Sequence, residues 1–203
     1  MSDLAERLLP WVNDIALRPA TSRRRALLSH AHGDVLELGF GSGLNAALYP
    51  SAVDRVVAVE PSAPMWAVGS KRAAKAGVTV DRVDAFGEDL PLPDNSVDVA
   101  VSTFVLCSVR DPDAVLAELA RVVRPGGSLL LFEHVEHPAA AMAAVQQAIT
   151  PAWKVCFAGC HPGRCMDPHL HASPWEVEDQ QDVDLHWLPP VIWRHRIARY
   201  RVA

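Results

Sequence analysis

The residues with the clearest chemical potential lie between positions 35 and 45, where an apolar run breaks into a glycine-rich turn. Residues 35–38 predict a buried strand, and glycines follow at positions 39, 41 and 43. Glycine tolerates positive φ and leaves room for a ligand beside the backbone. A strand that enters such a turn at the start of a helix often binds a nucleotide-like ligand in α/β proteins. The segment therefore predicts a ligand-binding turn.

The spacing of the glycines excludes two common phosphate-binding motifs. The dinucleotide fingerprint G-x-G-x-x-G would place its third glycine at the position of Leu44. The P-loop requires a lysine after its last glycine, and Leu44 follows Gly43 instead. What remains is the pattern E-x-G-x-G-x-G, which begins at Glu37.

A second acidic residue follows at the spacing that a ribose would need. Residues 56–59 predict another buried strand, which ends in Glu60. In nucleotide-binding α/β folds, a carboxylate about 20 residues after the glycine turn accepts the ribose hydroxyls. Pro61 then begins the turn into a helix that Gly77 ends. The two segments together predict a bound nucleoside.

Length and composition are typical of one compact domain. The chain has 203 residues, of which half are hydrophobic and about a fifth charged. A net charge of −5 argues against nucleic-acid binding. The chain shows no apolar run of membrane-spanning length and no signal-peptide pattern, so we expect a cytoplasmic protein without integral membrane association. Its four cysteines are then expected to be thiols.

Alternating strand and helix patterns predict an α/β fold. Strands are expected near residues 34–38, 56–59, 78–83, 97–103 and 128–134, and helices near 3–17, 20–30, 44–49, 63–76, 111–124 and 139–157. Two late strands, near 183–188 and 195–202, would form an antiparallel C-terminal hairpin. The prediction is a single domain with a doubly wound, seven-stranded, mostly parallel, Rossmann-like sheet.

Several segments resemble the class I S-adenosylmethionine-dependent methyltransferases, in the branch called methyltransferase type 11. Besides the glycine turn, these are GEDLPLPDNSVD at residues 87–98 and RPGG at 124–127 before a strand. Shorter segments are similar to the thiol methyltransferases of this branch: GLN at 43–45, LCSV at 106–109, FEHV at 132–135, TPAW at 150–153 and AGCH at 158–161. After Arg164 the chain departs from these relatives.

The resemblance implies S-adenosylmethionine as cofactor, S-adenosylhomocysteine as product, and a set of binding residues. Around the methionine part these are Glu37, Gly39, Gly41, Gly43 and Asn45; around the ribose and adenine they are Glu60, Pro61, Met65, Asp84, Phe86, Gly87 and Glu88; beneath the methyl group they are Thr103 and Phe104. At the adenine edge two alternatives remain. Either Asp84 accepts from the adenine amino group, or Phe86 covers the ring while the N–H of Gly87 bonds it.

The resemblance also implies three segments and a small-molecule acceptor. Residues 1–30 would form a helical cap, 31–138 the cofactor-binding core, and 139–203 the acceptor site with the hairpin. A thiol is the favoured acceptor, followed by a phenol or quinone-like molecule. The rival hypothesis is a non-catalytic cofactor-binding domain that regulates or assembles with a partner. The sequence leaves a homodimer open.

His134 and His161 are the candidate general bases. His134 ends the fifth predicted strand, and ligands of open α/β sheets gather at the carboxyl ends of strands. His161 lies on a loop that we expect to face the acceptor. A base is needed only if the acceptor must lose a proton during attack.

The remaining polar clusters are not assigned to the site. Ligand-type residues crowd residues 156–171, but their spacing matches no common zinc motif, so no metal is predicted. Instead, we expect a flexible loop over the acceptor pocket, with Cys156 on a buried helix face. Basic clusters at residues 23–25 and 194–201 predict solvated faces, with an anionic ligand as the alternative.

Overall fold

In the computed structural model, which describes residues 3–202, seven strands form one sheet in the order β3-β2-β1-β4-β5-β7-β6. The strands are β1 (Gly33–Leu38), β2 (Val53–Val59), β3 (Val80–Val83), β4 (Val97–Thr103), β5 (Val123–His134), β6 (Trp175–Asp184) and β7 (Arg194–Val202). The helices are α1 (Asp3–Leu17), α2 (Thr21–Leu28), α3 (Ala63–Ala76), α4 (Pro112–Val122), α5 (Ala140–Cys156) and α6 (Asp167–Ala172). Single 3₁₀ turns occupy Arg18–Ala20, Ala46–Leu48 and Pro190–Ile192.

The sheet topology confirms the predicted fold class. Strands β1 to β5 pair in parallel, whereas β7 runs antiparallel to both β5 and β6. The order of the strands reverses between β1 and β4, which is the point where open α/β sheets bind their ligands. The glycine turn leaves β1 at this point.

Both faces of the sheet are buried along the central strands β1, β4 and β5, as their continuous apolar runs require. Leu36, Leu129 and Leu131 pack on one face with α4 and α6. Val35 and Leu130 pack on the other face with α2 and α3. The strand period of two sends neighbouring residues into opposite layers, and this fixes which side chains point toward each group of helices.

The sixth strand lies earlier than predicted. It spans Trp175–Asp184 rather than residues 183–188, and most of its side chains are exposed. Backbone pairing with β7 and ion pairs, such as Arg196 with Asp182 at 2.9 Å, hold this strand in place. Because it lacks alternating apolar residues, the hydrophobic pattern of the sequence did not predict its position. An edge strand of this kind carries almost no hydrophobic signal.

Three local predictions were also wrong. The helix expected over residues 44–49 is a single 3₁₀ turn, because Tyr49 precedes Pro50 and is extended, with ψ at 134°. The stretch expected to be a flexible loop contains α6, whose Leu170 is buried in the core. Cys156 is exposed rather than buried.

Within residues 3–202 no helix is long and apolar enough to cross a membrane.

Candidate active site

A cavity of about 340 Å³ opens beside the carboxyl ends of β1, β2 and β4. Its lining comes from α1 and α2, from the loops that follow these three strands, and from residues 85–88. The volume lies at the lower end of the range of about 300–1,000 Å³ that is usual for small-molecule sites. The cavity therefore coincides with the position at which the fold binds a ligand.

The glycine turn forms one wall, and its glycines serve different purposes. Gly39 and Gly41 line the cavity, whereas Gly43 is not among the described lining residues. Gly43 has a φ of 74°, and a Cβ there would lie 2.9 Å from backbone atoms of Gly69 in α3. Gly43 therefore lets α3 pack directly against the turn. Its predicted contact with a ligand stays a prediction.

Glu60 is buried at the end of β2 and braces the glycine turn. Its side chain is only 5% exposed. One carboxylate oxygen accepts from the backbone N–H of Gly41 at 2.8 Å, and the other accepts from the N–H of Ser62 at 2.7 Å. Burial raises the pKa of Glu60, and the two backbone hydrogen bonds oppose that rise. Each carboxylate oxygen keeps a further lone pair for a hydroxyl group.

A cluster of hydrogen-bonded side chains around Glu37 and Asn45 lines the part of the cavity that we call its inner end. The side-chain amide of Asn45 donates to Glu37 at 2.8 Å and to the hydroxyl of Thr103 at 3.0 Å. Tyr49 donates to the other carboxylate oxygen of Glu37 at 2.7 Å. Burial raises the pKa of Glu37 to about 7, against the opposing effects of Tyr49, Asn45 and Arg24. The cluster brings together three residues that were predicted as cofactor contacts.

Arg24 completes this cluster, although the sequence suggested a solvated basic face. It lines the cavity, is 2% exposed, and donates to Asn45 at 3.0 Å. Its Nε has no hydrogen-bond partner among the described residues. The helical spacing could have revealed this position, because Arg24 shares the buried face of α2 with Leu27 and Leu28. A guanidinium so deep in the protein needs an anion nearby.

We call the part of the cavity that Phe86 lines its outer end, and the aromatic ring of Phe86 forms a flat apolar surface there. Phe86 is 54% exposed, so it is no core residue, and the guanidinium of Arg110 lies 4.8 Å from its ring centre. Gly87 and Glu88 line the cavity beside it, and a Glu88 oxygen accepts from the backbone N–H of Arg110 at 2.8 Å. Pro61 and Met65 line the cavity as well.

Asp84, the alternative at the adenine edge, lies apart from this surface. It is absent from the cavity lining that residues 3–202 provide. Its side chain is 66% exposed and pairs with Arg82 at 3.2 Å. Of the two arrangements left open by the sequence, the geometry therefore favours the one with Phe86 and Gly87.

Phe104 lines the cavity and has an unusual backbone conformation. Its φ is 62°, which is rare and costly for an aromatic residue. The ring packs against Phe132 at 4.7 Å and His195 at 5.3 Å between ring centres. Thr103, the last residue of β4, and Phe104, which follows it, both line the cavity. Their predicted place beneath the reacting group stays a prediction.

The two candidate bases lie outside the described lining of the cavity. His134 is buried, with Nε2 at 3.1 Å from the Sγ of Cys160. The backbone N–H of His161 donates to the carbonyl of Cys107 at 2.9 Å, and burial together with the charge of Arg164 lowers its pKa. The general-base roles of both histidines stay predictions.

Comparisons with known proteins agree with this geometry. Residues 36–131 match a family described as a methyltransferase domain. Thiol S-methyltransferase TMT1B of Homo sapiens is 37% identical over 186 residues, which are 85% of this chain and 76% of the relative. The TMT1B of Rattus norvegicus is 37% identical over 163 residues, or 77% of this chain, and the match spans 63% of the relative's length. The geranyl diphosphate C-methyltransferase structure from Streptomyces coelicolor has a TM-score of 0.72 at 13% identity, covering 92% of this chain and 77% of that chain.

The strand order and the site at its switch point define a class I methyltransferase fold. The chain belongs to the S-adenosylmethionine-dependent methyltransferase family, in the branch that contains the thiol S-methyltransferases. This confirms the resemblance that the glycine turn and the later motifs indicated.

Proposed function

We propose that this protein transfers a methyl group from S-adenosylmethionine to a small, mostly apolar thiol. The observation that carries the proposal is the set of charged and aromatic side chains that line one cavity. Buried Arg24, Glu37 and Glu60 contribute to this lining, as does the exposed ring of Phe86. A zwitterionic amino acid joined to a nucleoside presents the complementary groups.

The residues at the inner end suit the methionine part of the cofactor. Arg24 lines the cavity, so its guanidinium would offer a positive charge to the carboxylate of the cofactor. Glu37 would accept from the ammonium group, with Asn45 holding the carboxylate in place. Both charges are then paired, as buried charges must be.

The outer residues suit the nucleoside. Glu60 would accept both ribose hydroxyls, since each of its oxygens has a lone pair to spare beyond its backbone donor. Phe86 would stack on the adenine, with Pro61 and Met65 on the ribose side. Thr103 and Phe104 would lie beneath the reacting group, where Phe104 keeps water out.

A thiol acceptor demands little from the protein. When bound, S-adenosylmethionine would supply an electrophilic methyl group for the acceptor sulfur, with S-adenosylhomocysteine as the product. The chain must align the acceptor and exclude water, which the apolar wall around Phe104 and Val105 would do. A thiol with a pKa near 8.5 loses its proton readily enough that it needs little help from a protein base. The curated relatives with this activity support the choice of a thiol.

A labelled-methyl assay with a panel of acceptors tests the proposal. We expect turnover with small alkyl thiols and less or none with phenols of similar size. A cofactor-binding protein that methylates neither class would support the regulatory alternative. The cytoplasmic location, the three-segment organisation of one domain and a homodimer remain predictions.

Glu37 should make cofactor binding depend on pH. Because burial raises its pKa to about 7, Glu37 is largely protonated below that pH and cannot pair with an ammonium. We expect the Kd for S-adenosylhomocysteine to fall by close to tenfold per pH unit up to about pH 7 and then to level off. Calorimetric titrations over this range measure the effect.

The matched control for this experiment is Glu37→Gln, which keeps the shape and an acceptor oxygen but cannot ionise. Its affinity should be weak and independent of pH. The raised pKa also costs stability once Glu37 ionises, so the free wild-type protein should lose stability relative to this variant as pH rises from about 4.5 to about 7. A wild-type Kd that is flat over this range would contradict the assignment of Glu37.

A further inference from the structure

A cluster of reactive side chains lies next to the cavity but outside it. Cys107 follows β4, His134 ends β5 and Cys160 follows α5, so three separate elements bring them together. The two sulfur atoms and one imidazole nitrogen all lie within 4.8 Å of one another. Cys107 and His134 are buried, and Cys160 is partly so.

The spacing of these atoms suits a thiophilic metal ion. Zinc bonds of about 2.3 Å to sulfur and about 2.0 Å to nitrogen, at tetrahedral angles, separate ligand atoms by roughly 3.5–3.8 Å. His134 Nε2 lies 3.1 Å from the Cys160 sulfur, and no pair of ligand atoms exceeds 4.8 Å. Shifts of roughly 1 Å would therefore place all three atoms at bonding distance from one ion.

The charges of the surroundings suit such an ion as well. Two thiolates and a neutral imidazole around Zn²⁺ carry no net charge, which keeps the cost of burial low. Arg164 lies over the cluster, where it donates to the carbonyls of Leu106 at 2.6 Å and Val109 at 2.8 Å. Arg164 therefore fixes the loop after β4 that carries Cys107.

We propose that Cys107, His134 and Cys160 bind one zinc ion, leaving a fourth coordination position open. Three protein ligands with an open position are the pattern of non-structural zinc sites. The ion would join the loop after β4 to the loop after α5. Both loops contribute to the cavity lining, through Ser108 and Ala158 respectively, so the ion would fix the wall of the site.

The proposal is tested with zinc alone on the reduced, metal-free full chain. We expect one Zn²⁺ per chain in a titration against a chromophoric chelator, and a sulfur-to-metal charge-transfer band when Co²⁺ replaces zinc. Cys107→Ser and Cys160→Ser should each weaken zinc binding by at least about 100-fold, more than the loss of a residue outside the ligand set. Cys165→Ser, which removes an exposed cysteine, is the matched control and should bind like wild type.

The Co²⁺ spectrum of wild type does not depend on whether a variant folds. Absence of the charge-transfer band in wild type would overturn the proposal. So would zinc binding that both serine variants retain in full, or a loss of the two thiols to a Cys107–Cys160 disulfide under reducing conditions. Methyl transfer is not measured, so a negative result leaves the proposed activity untouched.

Discussion

Replacing Arg24 with leucine is expected to weaken binding of S-adenosylhomocysteine by about 2–4 kcal/mol, on the order of 30- to 1,000-fold in Kd. Arg24 lines the cavity and is only 2% exposed. The buried carboxylate of the ligand would lose its only guanidinium donor in the described lining of the inner cavity. Calorimetry at fixed pH gives the Kd directly.

The chain supplies a matched control for this substitution. Arg25 stands one residue further along α2 and is exposed, so Arg25→Leu should leave the Kd unchanged. Because leucine leaves the buried Glu37 carboxylate without the charge of Arg24, circular dichroism must first establish that the free variant is folded. A folded Arg24→Leu protein with the affinity of wild type would show that the carboxylate binds elsewhere.

Glu60→Ala is expected to weaken the same ligand by at least about 1.5 kcal/mol, or roughly tenfold or more in Kd. Each oxygen of Glu60 holds one backbone donor, from Gly41 or from Ser62, and would accept one ribose hydroxyl in addition. Removal of the carboxylate therefore takes away two charge-assisted hydrogen bonds to the ligand. Calorimetry also measures this loss.

An analogue without the two ribose hydroxyls separates the ribose contact from support of the glycine turn. If Glu60 accepts these hydroxyls, wild type should bind the analogue more weakly than S-adenosylhomocysteine, whereas Glu60→Ala should bind both nearly alike. Equal losses for both ligands would mean that Glu60 acts only by bracing Gly41.

Asp84→Ala tests the alternative contact at the adenine edge. A loss of affinity comparable to that of Glu60→Ala would show that Asp84 contacts the adenine.

The sequence predicted the parts of the fold that depend on hydrophobic periodicity. The strands β1, β2, β4 and β5 are continuous apolar runs because both faces of the sheet are covered, and such runs are easy to recognise. Strand β6 is exposed along most of its length, so its polar sequence gave no comparable signal. Backbone pairing to β7, which no composition reveals, decides its position.

Contacts between residues distant in the chain limited the prediction of the site. Glu37 and Glu60 end their strands and could be placed from the motif alone. Arg24 was not predicted at the site, because it belongs to a basic stretch that looks solvated, although its helical spacing from Leu27 and Leu28 indicates a buried face. Similarly, the spacing of ligand-type residues within 156–171 does not reveal that Cys160 lies beside Cys107 and His134, because only the fold brings these three residues together.

Methyl transfer to a thiol can be measured directly. The purified protein is incubated with methyl-labelled S-adenosylmethionine and a small alkyl thiol, and the products are identified by mass spectrometry. We expect a labelled thioether and S-adenosylhomocysteine in equal amounts, both greatly reduced with Arg24→Leu at limiting cofactor. Tight cofactor binding without any labelled thioether would contradict the proposed function.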